Sequence, residues 1–213
     1  MNGTIRVPGW SMRCVILVAL SPLVWPATTE AHLMSTGFGP FYDGMMHLAL
    51  SPDDLLGVLA IALLSGLVGA RHGRVVLFTL SLAWLVGGSV GLQVDREVSL
   101  SVASTVSFLL LGALVAVDRK LPLALVAGLA CALGLLHGFL NGTAMRQIGG
   151  GLLALVGIAA AVFVVVALVA AFVVSLRAAW ARVAVRVAGS WITAIGLLML
   201  GWTFRVGFPV GSP

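Results

Sequence analysis

The side chains best suited to holding a metal ion are scarce in this sequence and unevenly placed. The 213 residues include four histidines and seven acids. Five of these, His32, Asp43, His47, Asp53 and Asp54, fall in AHLMSTGFGPFYDGMMHLALSPDD, directly before an almost wholly apolar run. Another histidine, His137, stands in HGFLNG, four residues before Asn141. Asp43 and His47 have the same spacing, so each pair can share one helix face. Imidazole with carboxylate is a donor set suited to divalent first-row ions such as nickel, copper or zinc. Acids gathered at a mouth also raise the local concentration of cations.

Each residue has a plainer reading beside this one. SPDD is close to an ideal helix start, with Ser51 as N-cap, Pro52 in the first position and two acids next to the positive end of the helix. Asp54 is then the acidic half of a capping arrangement. Asp43 caps a turn at Gly44, and His137 donates a hydrogen bond between helices. His72, in ARHGR, reads as a solvated loop residue. Against this, ionisable groups inside spans are costly and usually functional.

The elements that must position these residues are membrane helices. Apolar residues make up 61% of the chain, charged residues 9%, and the mean hydropathy is +1.15. A soluble domain carries about a quarter charged residues, so the expected fold is all-α, a polytopic helix bundle in lipid. The net charge of +5 is scattered between apolar runs rather than gathered in a stripe, which excludes nucleic acid as a partner. Cys14 falls in the leader and Cys131 in a span, so no disulfide is expected.

Residues 1–31 read as a secretory signal peptide, with Arg6 and Arg13 before the apolar CVILVALSPLVW and a small-x-small TEA before His32. Cleavage would make His32 the new N-terminus, adding a free amine beside its imidazole; the other reading is an uncleaved anchor. Residues 32–52 form a periplasmic or interfacial segment that carries ligand candidates. Within it, 37–51 lies at the outer interface or folds back into the bundle. Residues 53–204 hold six predicted spans, at 53–70, 75–92, 98–117, 121–140, 148–175 and 187–204, each near the ~20 residues that cross a bilayer. Residues 205–213 are a periplasmic tail.

Charge tests this topology. With the mature N-terminus outside, the inner loops hold Arg71, Arg74, Arg119, Lys120, Arg177, Arg182 and Arg186, and the outer segments only Arg96, Arg146 and Arg205. Seven against three satisfies the positive-inside rule. His137 lies about 24 Å along its span from Leu121, at ~1.5 Å per residue. That places it at the same outer level as the acidic opening. Gly134 and Gly138 form a GxxxG step that lets backbones approach closely.

GFGPFYDGMMHLALSPDDLLGVLAIALLSGL resembles the opening of the HupE/UreJ family of bacterial membrane proteins, in which H-P-L-x-G-x-D-H leads into the first mature helix. HGFLNG resembles that family's second motif. Position by position, His47 matches the first histidine, Asp53 the aspartate and His137 the first histidine of the second motif. Asp54 and Asn141 stand where the family has histidine, and Leu48 where it has proline. The resemblance implies a multi-pass inner-membrane permease for nickel or cobalt, with both mature termini periplasmic and metalloenzyme-maturation factors as partners; it is not an enzyme. The departures make the site harder and richer in oxygen, which leaves open another metal, weaker binding or a loss of transport; the imidazole–carboxylate donor set keeps copper and zinc beside nickel and cobalt as the ion.

On this reading Asp43 and Asp53 attract the ion, and His47, His137 and Asp53 hold it. Asn141 or Asp54 completes the shell, and His32 delivers the ion from outside. Passage inward requires the spans to rearrange around Gly134 and Gly138, with Ser104, Thr105, Ser107, Thr79 and Ser81 as candidates to line a path. Two rivals stand beside it. One is a protein that captures metal for a partner without conducting it. The other is an intramembrane hydrolase in which histidines hold zinc and an Asp acts as base.

Overall fold

The structure, a computed structural model, describes residues 36–96 and 98–207. The signal-peptide assignment and His32 lie outside these residues, as does most of the predicted tail. Within the described residues the chain forms seven helices and no strand. They are α1 Pro40–Leu50, α2 Pro52–Val68, α3 Ala70–Gly91, α4 Ser101–Val117, α5 Leu123–Gln147, α6 Gly151–Ser175 and α7 Ala179–Gly207.

The six predicted spans correspond to α2–α7, but their ends differ. Helix α3 starts five residues before the predicted span and takes in Arg71, His72 and Arg74, so ARHGR is a helix start rather than a loop. His72 is half-buried there. Helix α5 runs on to Gln147, carrying His137 and Asn141 on one continuous element, and α7 begins eight residues early, at Ala179. Polar residues at these ends hide the continuation, because a helix leaving the hydrocarbon needs no change of backbone, only of solvent. Breaks occur where the backbone requires glycine. Gly69, between α2 and α3, has φ 136°, and Gly149, between α5 and α6, has φ 72°.

Four helices, α3, α5, α6 and α7, are long and apolar enough to cross a membrane, and α1 with α2 would make a fifth if read as one broken span. The pair is bent by 77°, and α1 folds back onto the bundle, as one of the two sequence readings expected. Helices α2 and α4 have 17 residues each, about 25 Å against a hydrocarbon core of about 30 Å. Length alone therefore gives four to five spans, not the six expected.

Packing between helices relies on glycine, as expected where lipid removes the hydrophobic drive between helices. Gly134, Gly138 and Gly142 of α5 lie against the backbone of α3 at Leu80, Trp84 and Gly88, and Gly87 and Gly91 of α3 answer from the other side. A Cβ at Gly134 would come within 2.7 Å of the Leu80 carbonyl oxygen. Gly44 of α1 meets the Ala154 backbone of α6, and Gly112 of α4 meets Gly189 of α7 at 2.9 Å from a would-be Cβ. The outer surface is strongly apolar, with Leu168, Phe172, Trp191 and Leu198 all exposed. Such a surface suits the hydrocarbon of a bilayer.

Candidate cation site

Five of the polar residues singled out in the sequence, His47, Asp53, Asp54, His137 and Asn141, meet at one end of the bundle, where α2 and α4 begin and α5 nears its end. Ser51 is at once the C-cap of α1 and the N-cap of α2, with φ −101° and ψ 93°. This extended residue makes the bend, and Pro52 starts the next helix. Ser51 makes no side-chain capping bond. Its hydroxyl instead faces His47 Nε2 at 3.3 Å.

Asp54 is not a capping residue. In the first turn of α2 and 5% exposed, it contacts α5 with both carboxylate oxygens. His137 Nδ1 is 2.6 Å from Oδ1, and Asn141 Nδ2 donates to Oδ2 at 2.8 Å. The same Asn141 amide donates to the His137 carbonyl oxygen at 2.8 Å. The four-residue spacing noted in the sequence thus serves to brace one side chain against its neighbour's backbone.

His137 is fully buried. Its Nε2 lies 2.9 Å from Ser107 Oγ, and Ser107 donates its hydroxyl to the Ser104 carbonyl oxygen at 2.6 Å. With that hydrogen engaged, Ser107 Oγ accepts from Nε2–H, an assignment made from the network. A hydrogen bond joins Nδ1 to Asp54 Oδ1 across the 2.6 Å between them. Trp84 covers the imidazole, its ring centroid 5.8 Å away and tilted 35°. Sequence reasoning missed Trp84, since one tryptophan in an apolar span carries no spacing signal.

Asp53 faces the other way from Asp54, and its Oδ2 accepts from Ser104 Oγ at 3.0 Å. Ser104 and Ser107, expected along a path, therefore belong to the site itself, whereas Ser81 only bonds the Leu77 carbonyl of its own helix.

Above this network opens a cavity of about 180 Å³, whose lining includes His47, Ser51, Asp53, Asp54, Ser104 and Asn141. One of the lining residues carries an unsatisfied atom. Asn141 Oδ1 is buried without a hydrogen-bond partner among the described residues. Its orientation is fixed, because Nδ2 must face the two acceptors Asp54 and the His137 carbonyl. A buried amide oxygen costs about 1–3 kcal/mol when left unpaired.

The expected residues are brought together in two layers. His47, Asp53, Asp54 and Asn141 line the cavity, and His137 lies beneath it as the partner of Asp54. For His137 to ligate an ion it must give up Ser107 or Asp54. Asp43 stands apart, its Oδ1 accepting from both the amide and the hydroxyl of Thr36 at 2.6 Å; it closes the turn before α1. Among the described residues, no three His, Cys, Asp or Glu side chains are already grouped as a ligand cluster. Asp54, His137 and Ser107 do have the connectivity of a hydrolytic triad. However, Ser107 gives its proton to a main-chain carbonyl and lies outside the cavity lining, so it is not poised as a nucleophile.

An apolar exterior, membrane-length helices and a polar cluster at one end define a multi-pass helical membrane protein. The family model described as HupE / UreJ protein matches residues 18–199, and the chain belongs to that family, whose members are membrane proteins associated with nickel and cobalt transport. No curated protein and no solved structure matches it.

Proposed function

We propose that this protein is an inner-membrane uptake permease for a divalent metal cation, which enters from the periplasm through the cavity above Asp54. The family associates such chains with transport and accessory roles rather than catalysis. The observation that carries the reading is the convergence of His47, Asp53, Asp54 and Asn141 on one cavity, with the orientation-locked Oδ1 of Asn141 buried and unpaired among the described residues. Six spans, a cleaved signal peptide and periplasmic termini complete the proposal, supported by the seven-to-three distribution of basic residues. Helices α2 and α4 both begin at the cavity and are both short, which suits a site recessed below the membrane surface.

Asp53 supplies the attracting charge, while His47 of α1 and Asn141 of α5 offer further donors. His137 holds Asp54 in place and becomes a ligand only if Ser107 releases it. Nickel and cobalt, the ions associated with the family, and copper and zinc are the first ions to test.

A second reading is favoured by what lies deeper. Below His137 the core consists of Trp84, Leu80, Leu133 and Ile61, all essentially sealed from solvent, and α3 and α5 touch backbone to backbone there. That suits a protein which captures metal at the outer face and hands it to a maturation partner. Metal uptake into proteoliposomes separates the two. The permease reading expects accumulation that is lost in Asp53→Asn; binding without accumulation establishes capture alone, and a protein that does neither overturns both.

A further inference from the structure

We propose that the cavity binds a hard, oxygen-seeking divalent cation of the manganese(II) type nearly as tightly as nickel(II), without the strong bias toward nickel(II), copper(II) or zinc(II) that nitrogen-rich sites show. This rests on the cation-site reading above and names the class of ion that site takes. The oxygen-bearing side chains that line the cavity are those of Asp53, Asp54, Asn141, Ser51 and Ser104, with both Asp54 oxygens already engaged by His137 and Asn141. Against them stands a single imidazole, His47, and no sulfur donor lines the cavity among the described residues. The second imidazole that the sequence promised is spent: His137 is buried, with Nδ1 on Asp54 and Nε2 on Ser107.

Asn141 extends the same logic. Its unpaired atom is a neutral oxygen, a donor that suits hard ions and contributes little to soft ones. A volume of about 180 Å³ also leaves room for several waters, since each needs roughly 10–15 Å³ of such space. Hard ions release their hydration shell reluctantly and bind through a few carboxylates while keeping water. A site with dispersed oxygens and retained water therefore loses most of the advantage that nitrogen donors give to nickel and copper.

The test uses full-length protein in detergent. Manganese(II) binding is followed by loss of the free-ion electron paramagnetic resonance signal, and nickel(II), zinc(II) and magnesium(II) serve as competitors. The wild type is expected to bind manganese within about tenfold of nickel. Asn141→His should shift the balance toward nickel by at least about tenfold. His47→Gln, which exchanges the one nitrogen for an amide oxygen, should weaken nickel more than manganese and serves as the readout if Asn141→His does not fold. Displacement of manganese by comparable magnesium marks the magnesium-type ion; resistance to it marks the manganese type, and both support the proposal. Nickel or zinc binding more than about tenfold tighter than manganese overturns this reading and leaves the cation site standing. Failure to retain any divalent ion overturns the cation site, and this reading with it.

Discussion

Two acid–base contacts of equal length hold this molecule together at places that differ in every other respect. Asp54 and His137 meet at 2.6 Å with side chains 6% and 0% exposed, while Arg182 and Asp118 meet at 2.6 Å with 47% and 14% exposed. The first pair joins α2 to α5 under the cavity. The second joins the end of α4 to the start of α7, where Asp118 also adopts the left-handed conformation, φ 56°, that ends α4. Distance does not decide their worth. Breaking a buried pair strands a charge or dipole in a medium that cannot solvate it, whereas exposed partners return to water at little cost.

Substitutions can break or sharpen this contrast. The largest effect is expected for His137→Ala, which leaves Asp54 buried without its base. It should lower stability by about 3–5 kcal/mol, read as a fall in the denaturation midpoint in detergent. Replacing both partners together, as Asp54→Leu with His137→Leu, should cost markedly less than the single change, because no orphan remains. Asn141→Leu removes the donor to Asp54 and to the His137 carbonyl and is expected to cost about 1–2 kcal/mol, together with divalent-ion affinity. Arg182→Ala should cost at most about 1 kcal/mol, and its effect should shrink in high salt. Arg146→Ala, whose partner Asp95 is exposed, should leave the midpoint unchanged. If Arg182→Ala proves as damaging as His137→Ala, burial is not what separates the two pairs.

Much of this was legible in the sequence because lipid imposes simple rules. Long apolar runs between basic clusters gave the helical class and the approximate span positions, and counting along α5 placed His137 level with the acidic opening. The partnerships were not legible. Asp54 fits a capping motif so well that spacing alone could not assign it to His137, 83 residues away. In helices apolar on every side, no periodic pattern tells which face meets which neighbour. The bend at Ser51 was also hidden, since a single extended residue between two helix-forming stretches resembles an ordinary helix start. The orphaned oxygen of Asn141 follows from two acceptors that only the fold brings together.

The most direct test is equilibrium dialysis of purified full-length protein against manganese, cobalt, nickel, copper and zinc, followed by elemental analysis. The account predicts about one bound divalent ion per chain in the wild type and its loss in the double variant His47→Ala with Asp53→Asn, in protein that still folds. Wild-type protein that retains no ion, or a double variant that retains as much as wild type, would contradict it.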